Sequence, residues 1–85
     1  MDQTAELSRM KWAARRGMLE LDLVLEPFVT EQYLSLSERE KQQFQELMLC
    51  EDQEMFGWFL RREQPEREDL RAIVAKILDY AQRPR

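Results

Sequence analysis

An all-α fold, a small five-helix bundle in a single domain spanning residues 1–85, follows from three features of the sequence. Leu, Met, Glu, Gln, Arg and Ala dominate, and all are good helix formers. Only two glycines and three prolines punctuate 85 residues, which is sparse for a chain with the many turns of a β protein. Apolar residues recur at i, i+3, i+4 and i+7 in separate segments, with short breaks between them and no internal repeat. A hydrophobic share of 44% beside 35% charged residues supports a folded core rather than a disordered chain.

The first helix is capped by Thr4, carries the apolar stripe Leu7, Met10 and Ala14, and runs to about Arg16. The segment Glu20 to Phe28 alternates Leu21, Leu23 and Leu25 with Asp22, Val24 and Glu26, a pattern that also fits a strand. No other segment alternates, and a lone strand leaves its backbone groups unpaired. A helix is therefore expected, entered at Met18, with Pro27 kinking it or restarting it toward Leu34. Ser37 and Glu40 have the spacing of a capping box ahead of Phe44, Leu47 and Met48. Asp52 caps the next segment, Gln53 to Arg62, whose stripe is Met55, Phe56, Phe59 and Leu60 with Trp58 to one side. After Pro65, the acids Glu66, Glu68 and Asp69 suit a helix N-terminus, and Leu70, Ile73, Val74, Ile77 and Leu78 mark the buried face of the last helix. The expected core is Leu7, Met10, Phe44, Leu47, Phe56, Phe59, Leu70, Ile73 and Ile77.

A net charge of −4 argues against binding nucleic acid or anionic membrane through a phosphate-neutralising surface. No apolar run approaches the roughly 20 residues needed to cross a bilayer, so no membrane insertion is expected. The first residues have neither the apolar core of a secretory signal nor the composition of a transit peptide. A cytoplasmic, bacterial protein is the expectation. Cys50 is the sole cysteine, which excludes an internal disulfide, and the absence of histidine removes both the usual zinc ligand set and the commonest general base. Cys50 has no imidazole partner and no basic sequence neighbour to lower its pKa. The carboxylates fall mostly at solvated helix positions, and neither glycine lies in a phosphate-binding loop. No catalytic residue, metal site or stably bound cofactor is expected, and the chain does not read as an enzyme.

The stretch Arg15-Arg16-Gly17-Met18-Leu19-Glu20-Leu21-Asp22 sets one of the two glycines among helix formers and charges of both signs. Gly17 can be the residue just past the first helix, in the left-handed conformation that penalises other residues, with Glu20 an acid of the next helix's first turn. It can equally be a place where another protein's backbone comes close. On an ideal first helix, Trp12 leaves the apolar stripe and shares a face with Arg9, Arg15 and Arg16. Either that indole is core and the arginines are merely solvated, or the face is a docking surface.

Arg16-Gly17-x-x-Glu20 resembles the R-G-x-x-E signature of the FAD assembly factors of succinate dehydrogenase, the flavinators. The similarity extends to Trp12 four residues before the arginine, to Glu20-Leu21-Asp22 followed by Pro27-Phe28, and to Leu36-Ser37 with Glu40 and Phe44. Asp52, Phe56, Trp58 and Phe59-Leu60 resemble that family's D-x-x-x-F-x-W-[FL]-L segment, so the likeness covers roughly residues 8 to 62. The resemblance implies a five-helix domain that binds the flavoprotein subunit of succinate dehydrogenase, and often that of fumarate reductase, and promotes covalent attachment of FAD to a histidine of that client. FAD would then belong to the client, and the free chain would be a monomer. Carried over by position, Gly17 would admit a close backbone, Glu20 would accept hydrogen bonds or pair with a client cation, and Arg16 would pair with a client acid or brace Glu20. Trp12 and Arg15 would flank the contact. Two other classes compete: an antitoxin-like partner of a membrane-associated toxin, a label the family has also carried, and a helix-turn-helix nucleic-acid module, which the acidic charge opposes.

Overall fold

The computed structural model describes residues 3–83 and contains, among them, five α-helices, one 3-10 turn and no strand. Helix α1 spans Gln3–Ala13, α2 Leu19–Gln32, α3 Glu38–Met48, α4 Asp52–Leu60 and α5 Glu68–Gln82, with the 3-10 turn Tyr33–Ser35 between α2 and α3. The alternating leucines are thus helical. Leu21 and Leu25 are buried one turn apart, while Leu23, and Leu19 just ahead of the alternating segment, are exposed. Pro27 lies inside α2, which neither breaks nor restarts there. The amide it lacks would have bonded the Leu23 carbonyl, and exposed Leu23 stands on the side that water reaches.

Both ends of α1 and both ends of α4 differ from the sequence reading. Thr4 lies within α1 rather than ahead of it. The helix ends at Ala13 because the chain tightens there, with the Arg15 amide returning to the Trp12 carbonyl at 3.1 Å and Gly17 then turning the backbone at φ 78°. Helix α4 is capped by Glu51 instead of Asp52, the Glu51 amide donating to Glu54 Oε1 at 3.1 Å. Asp52 is already inside the helix, its carboxylate taken by Arg16. The same helix stops at Leu60 because Arg62 adopts a left-handed φ of 60°. The capping box of α3 is as expected: Glu40 N donates to Ser37 Oγ at 3.1 Å and Ser37 N to Glu40 Oε1 at 3.0 Å.

Helix α2 is the central element and packs against α1, α4 and α5, while α3 packs on α5. Phe28, near the middle of the core, stacks on Phe44 with ring centroids 5.9 Å apart and meets Tyr80 edge-on at 5.7 Å. Tyr33 closes this cluster against Phe44, its hydroxyl donating to Glu6 Oε2 and accepting from Gln45 Nε2. Phe44, Leu47, Phe59, Leu70, Ile73 and Ile77 are buried as expected. Leu7 and Met10 are only partly buried, because α1 lies on the outside of the core and buries no residue fully. Phe56 is a correction: Met55 and Phe59, four apart, take the inward face of α4, and Phe56 is left half-buried beneath the Arg61 guanidinium.

Candidate docking site at the turn between the first two helices

The turn after α1 presents one residue outward and anchors the next inward. Gly17 is exposed at φ 78°, a region that costs residues with a Cβ energy, and nothing lies within 4 Å of where a Cβ would be. Its conformation, and not crowding inside this chain, is what requires glycine. The space beyond it is open to a second molecule.

Arg16 takes the opposite direction, with its side chain only 17% exposed. Its Nε donates to Asp52 Oδ1 at 2.8 Å, Nη1 to the carbonyls of Ala13 and Met48 at 3.1 and 2.9 Å, and Nη2 to the Cys50 carbonyl at 2.8 Å. Ala13 and Met48 are the last residues of α1 and α3, so the cation sits against the negative ends of two helices. The backbone amide of Arg16 donates to Asp22 Oδ1 at 2.9 Å, which ties the turn forward to α2 as well. Arg16 therefore does not brace Glu20, as one of the sequence expectations had it, because its side-chain hydrogen bonds go to the ends of α1 and α3, the Cys50 carbonyl and the start of α4. The face expected around Trp12 loses Arg16 as well, because α1 ends at Ala13.

Around this turn Trp12, Arg15, Leu19, Glu20 and Leu23 point outward. Trp12 is 70% exposed, which resolves the choice between core and surface in favour of surface. The Arg15 guanidinium lies over its indole at 5.3 Å from the ring centroid, a contact that orients both side chains without burying either. Glu20 is exposed in the first turn of α2, and no hydrogen bond or ion pair joins its carboxylate to another described residue. Leu19 and Leu23, each 68% exposed, stand beside it. Neither leucine was singled out in the sequence: Leu19 precedes the alternating segment, and alternation made Leu23 look equivalent to Leu21 and Leu25. Counting by four from Leu21 separates the pairs. On the other side of the turn, Met18, Gln53, Phe56, Gly57, Arg61 and Glu63 line a shallow groove of about 430 Å³.

Cys50 requires one correction. Arg16 and Arg67 do lie close enough to favour its thiolate, but burial pushes the thiol up and Glu54 adds to that, so the net direction is upward. The group stays protonated at neutral pH and is a poor nucleophile. No cluster of metal-binding side chains occurs among the described residues, and none of their helices is long and apolar enough to cross a membrane.

Residues 8–81 match the family described as flavinator of succinate dehydrogenase. The chain is 51% identical over 82 residues to the FAD assembly factor SdhE of Pseudomonas aeruginosa, covering 96% of this chain and 98% of that relative. It is 46% identical over 82 residues to the FAD assembly factor SdhE of Pseudomonas savastanoi pv. phaseolicola, with the same coverage. The FAD assembly factor SdhE of Idiomarina loihiensis is 44% identical over 70 residues, or 82% of this chain and 78% of that relative. The match supports neither the helix-turn-helix nor the antitoxin alternative.

Proposed function

The chain belongs to the flavinators of succinate dehydrogenase, and from that premise we propose that it docks on the flavoprotein subunit through the turn between α1 and α2 and holds the client ready for covalent FAD attachment. The observation that carries the docking surface is Gly17, held at a positive φ with open space outside it, between an indole on one side and an unpaired carboxylate on the other. Gly17 admits the client backbone, Glu20 meets a client cation or amide, and Trp12 with Arg15, Leu19 and Leu23 covers the flanks. Exposed leucines and a tryptophan gathered around charged groups suit a protein partner. The flavoprotein subunit of fumarate reductase is a second client by this reading.

The contribution to the reaction is positional. A helper that binds one client conformation shifts the client toward it, and alignment of reacting groups alone lowers a barrier substantially. The client's histidine and the FAD supply the bonding atoms, and FAD remains with the client. The free chain acts as a monomer in the cytoplasm.

Three variants test this reading. Glu20→Ala should change stability by no more than about 0.5 kcal/mol, as surface substitutions usually do. Gly17→Asn keeps a residue that tolerates the left-handed region, so it should also fold. Both should nonetheless bind purified apo-flavoprotein subunit more weakly and slow the appearance of covalent flavin, followed by in-gel fluorescence. Gly17→Arg adds both backbone strain and bulk, and should abolish attachment. Undiminished binding and attachment by folded Glu20→Ala and Gly17→Asn would reduce the turn to a helix connection.

A further inference from the structure

Asp52 begins α4, thirty-odd positions from the turn in sequence, yet its carboxylate holds the Arg16 side chain whose backbone enters Gly17. We propose that Asp52, through Arg16, is a positioning residue for client docking: the pair fixes how Gly17 and Glu20 are presented without touching the client. This rests on the docking reading above.

The geometry supplies the argument. The turn from Ala14 to Met18 has few backbone bonds of its own; after Arg15 the next are the Arg16 amide to Asp22 and those that start α2 at the Met18 carbonyl. What holds it in place is the Arg16 fork, which reaches α1, the end of α3, the connection at Cys50 and the start of α4 together. Of those acceptors, Asp52 alone is a side chain, and the only one bearing a full charge. It is 37% exposed against 17% for Arg16, so it can be altered without opening the core. Arg16 bonds Asp52 at the start of α4 through its side chain and Asp22 in α2 through its amide. A loss at Asp52 therefore reaches the residue directly before Gly17. Presenting a docking surface in one conformation lowers the ordering cost of binding.

The test measures covalent flavin formation as a function of apo-flavoprotein concentration, with every variant held well below its melting midpoint. Asp52→Asn is nearly isosteric and leaves Arg16 its three carbonyl acceptors, so it should remain folded. Arg16→Lys keeps the charge but loses the planar fork. Both should raise the client concentration that gives half-maximal rate by about tenfold, the equivalent of one charge-assisted contact, while the maximal rate at saturating client is retained. Asp52→Glu, which restores the carboxylate, should return the value toward wild type. In parallel, exchange of the Arg16 amide followed by NMR should accelerate in Asp52→Asn, with amides at the centre of α5 unchanged. Wild-type half-saturation in Asp52→Asn, alongside weakened Glu20→Ala, would overturn the positioning role and leave the docking surface standing. Wild-type behaviour in Glu20→Ala and Gly17→Asn would remove the docking surface, and the positioning role with it. A loss in Asp52→Asn that Asp52→Glu fails to restore would also overturn the proposal, since the carboxylate would not be what matters.

Discussion

Arg16 and Gly17 are adjacent in the chain and face opposite ways, so substitution at each has a different meaning. Arg16 makes four side-chain hydrogen bonds within the protein, and its loss would leave Asp52 and three carbonyls without this donor. Gly17 touches nothing with its missing side chain, and its constraint is conformational. Arg62 offers a control on that argument, because it holds a left-handed φ of 60° at the end of α4 while carrying a full side chain. Arg62→Gly removes a penalty of about 1 kcal/mol or more in the folded state and adds back some unfolded-state freedom. We expect a net gain of up to about 1 kcal/mol in urea denaturation. A clear loss would show that the Arg62 side chain contributes more than its backbone costs.

At the level of single helices, α3 is the one whose start is most completely specified. Glu40 closes the capping box through the Ser37 amide and also meets Lys76 on α5 with Oε2 at 3.0 Å from Nζ. The hydrogen bond from the Ser37 backbone, then Lys76, holds its carboxyl below the ordinary value of 4.5. Because the folded pKa lies below the unfolded one, its contribution is complete above pH 4.5 and is lost as pH falls through the folded value. Asp69, lowered by its hydrogen bond to Arg67, works in the same direction at the start of α5. The melting temperature should therefore decline as pH is lowered beneath about 4.5, and Glu40→Gln should flatten part of that decline while lowering stability at neutral pH. An unchanged acid limb in Glu40→Gln would assign the acid sensitivity to other carboxylates. Ser37→Ala should cost about 1 kcal/mol at any pH where the helix is formed.

Across the whole molecule, the aromatic cluster around α2 carries the packing. Phe44 is fully buried and contacts the rings of both Phe28 and Tyr33. Phe44→Ala should cost about 3–5 kcal/mol, a large share of the roughly 5–15 kcal/mol available to a domain. Phe56 has the same chemistry but is half-buried beneath Arg61. Its truncation should cost about 2 kcal/mol or less, since less apolar area is withdrawn from water and no closed cavity is left. Chemical denaturation of the two variants checks this ordering. Equal losses would mean that Phe56 takes part in the core in solution.

Several features were legible residue by residue, because they depend on neighbours within one or two turns. The Ser37–Glu40 cap, the buried face of α5 and the special backbone at Gly17 are all local. So is the signature Arg16-Gly17-x-x-Glu20, which points to the family to which the chain belongs. Other features required the packed chain. Whether Trp12 was core or surface depended on which side of α1 faces α2, and α1 has little amphipathic bias to reveal it. Phe56 and Met55 are adjacent and equally apolar, and only the approach of α2 selects Met55 for burial. The division of labour between Arg16 and Gly17 was least visible of all. A cation beside a glycine can turn either way, and the partners that draw Arg16 inward, Met48, Cys50 and Asp52, lie more than thirty residues along the chain. Local hydrogen bonding and periodicity determined the helices, whereas long-range electrostatics and burial decided which side chains were left outside for a partner.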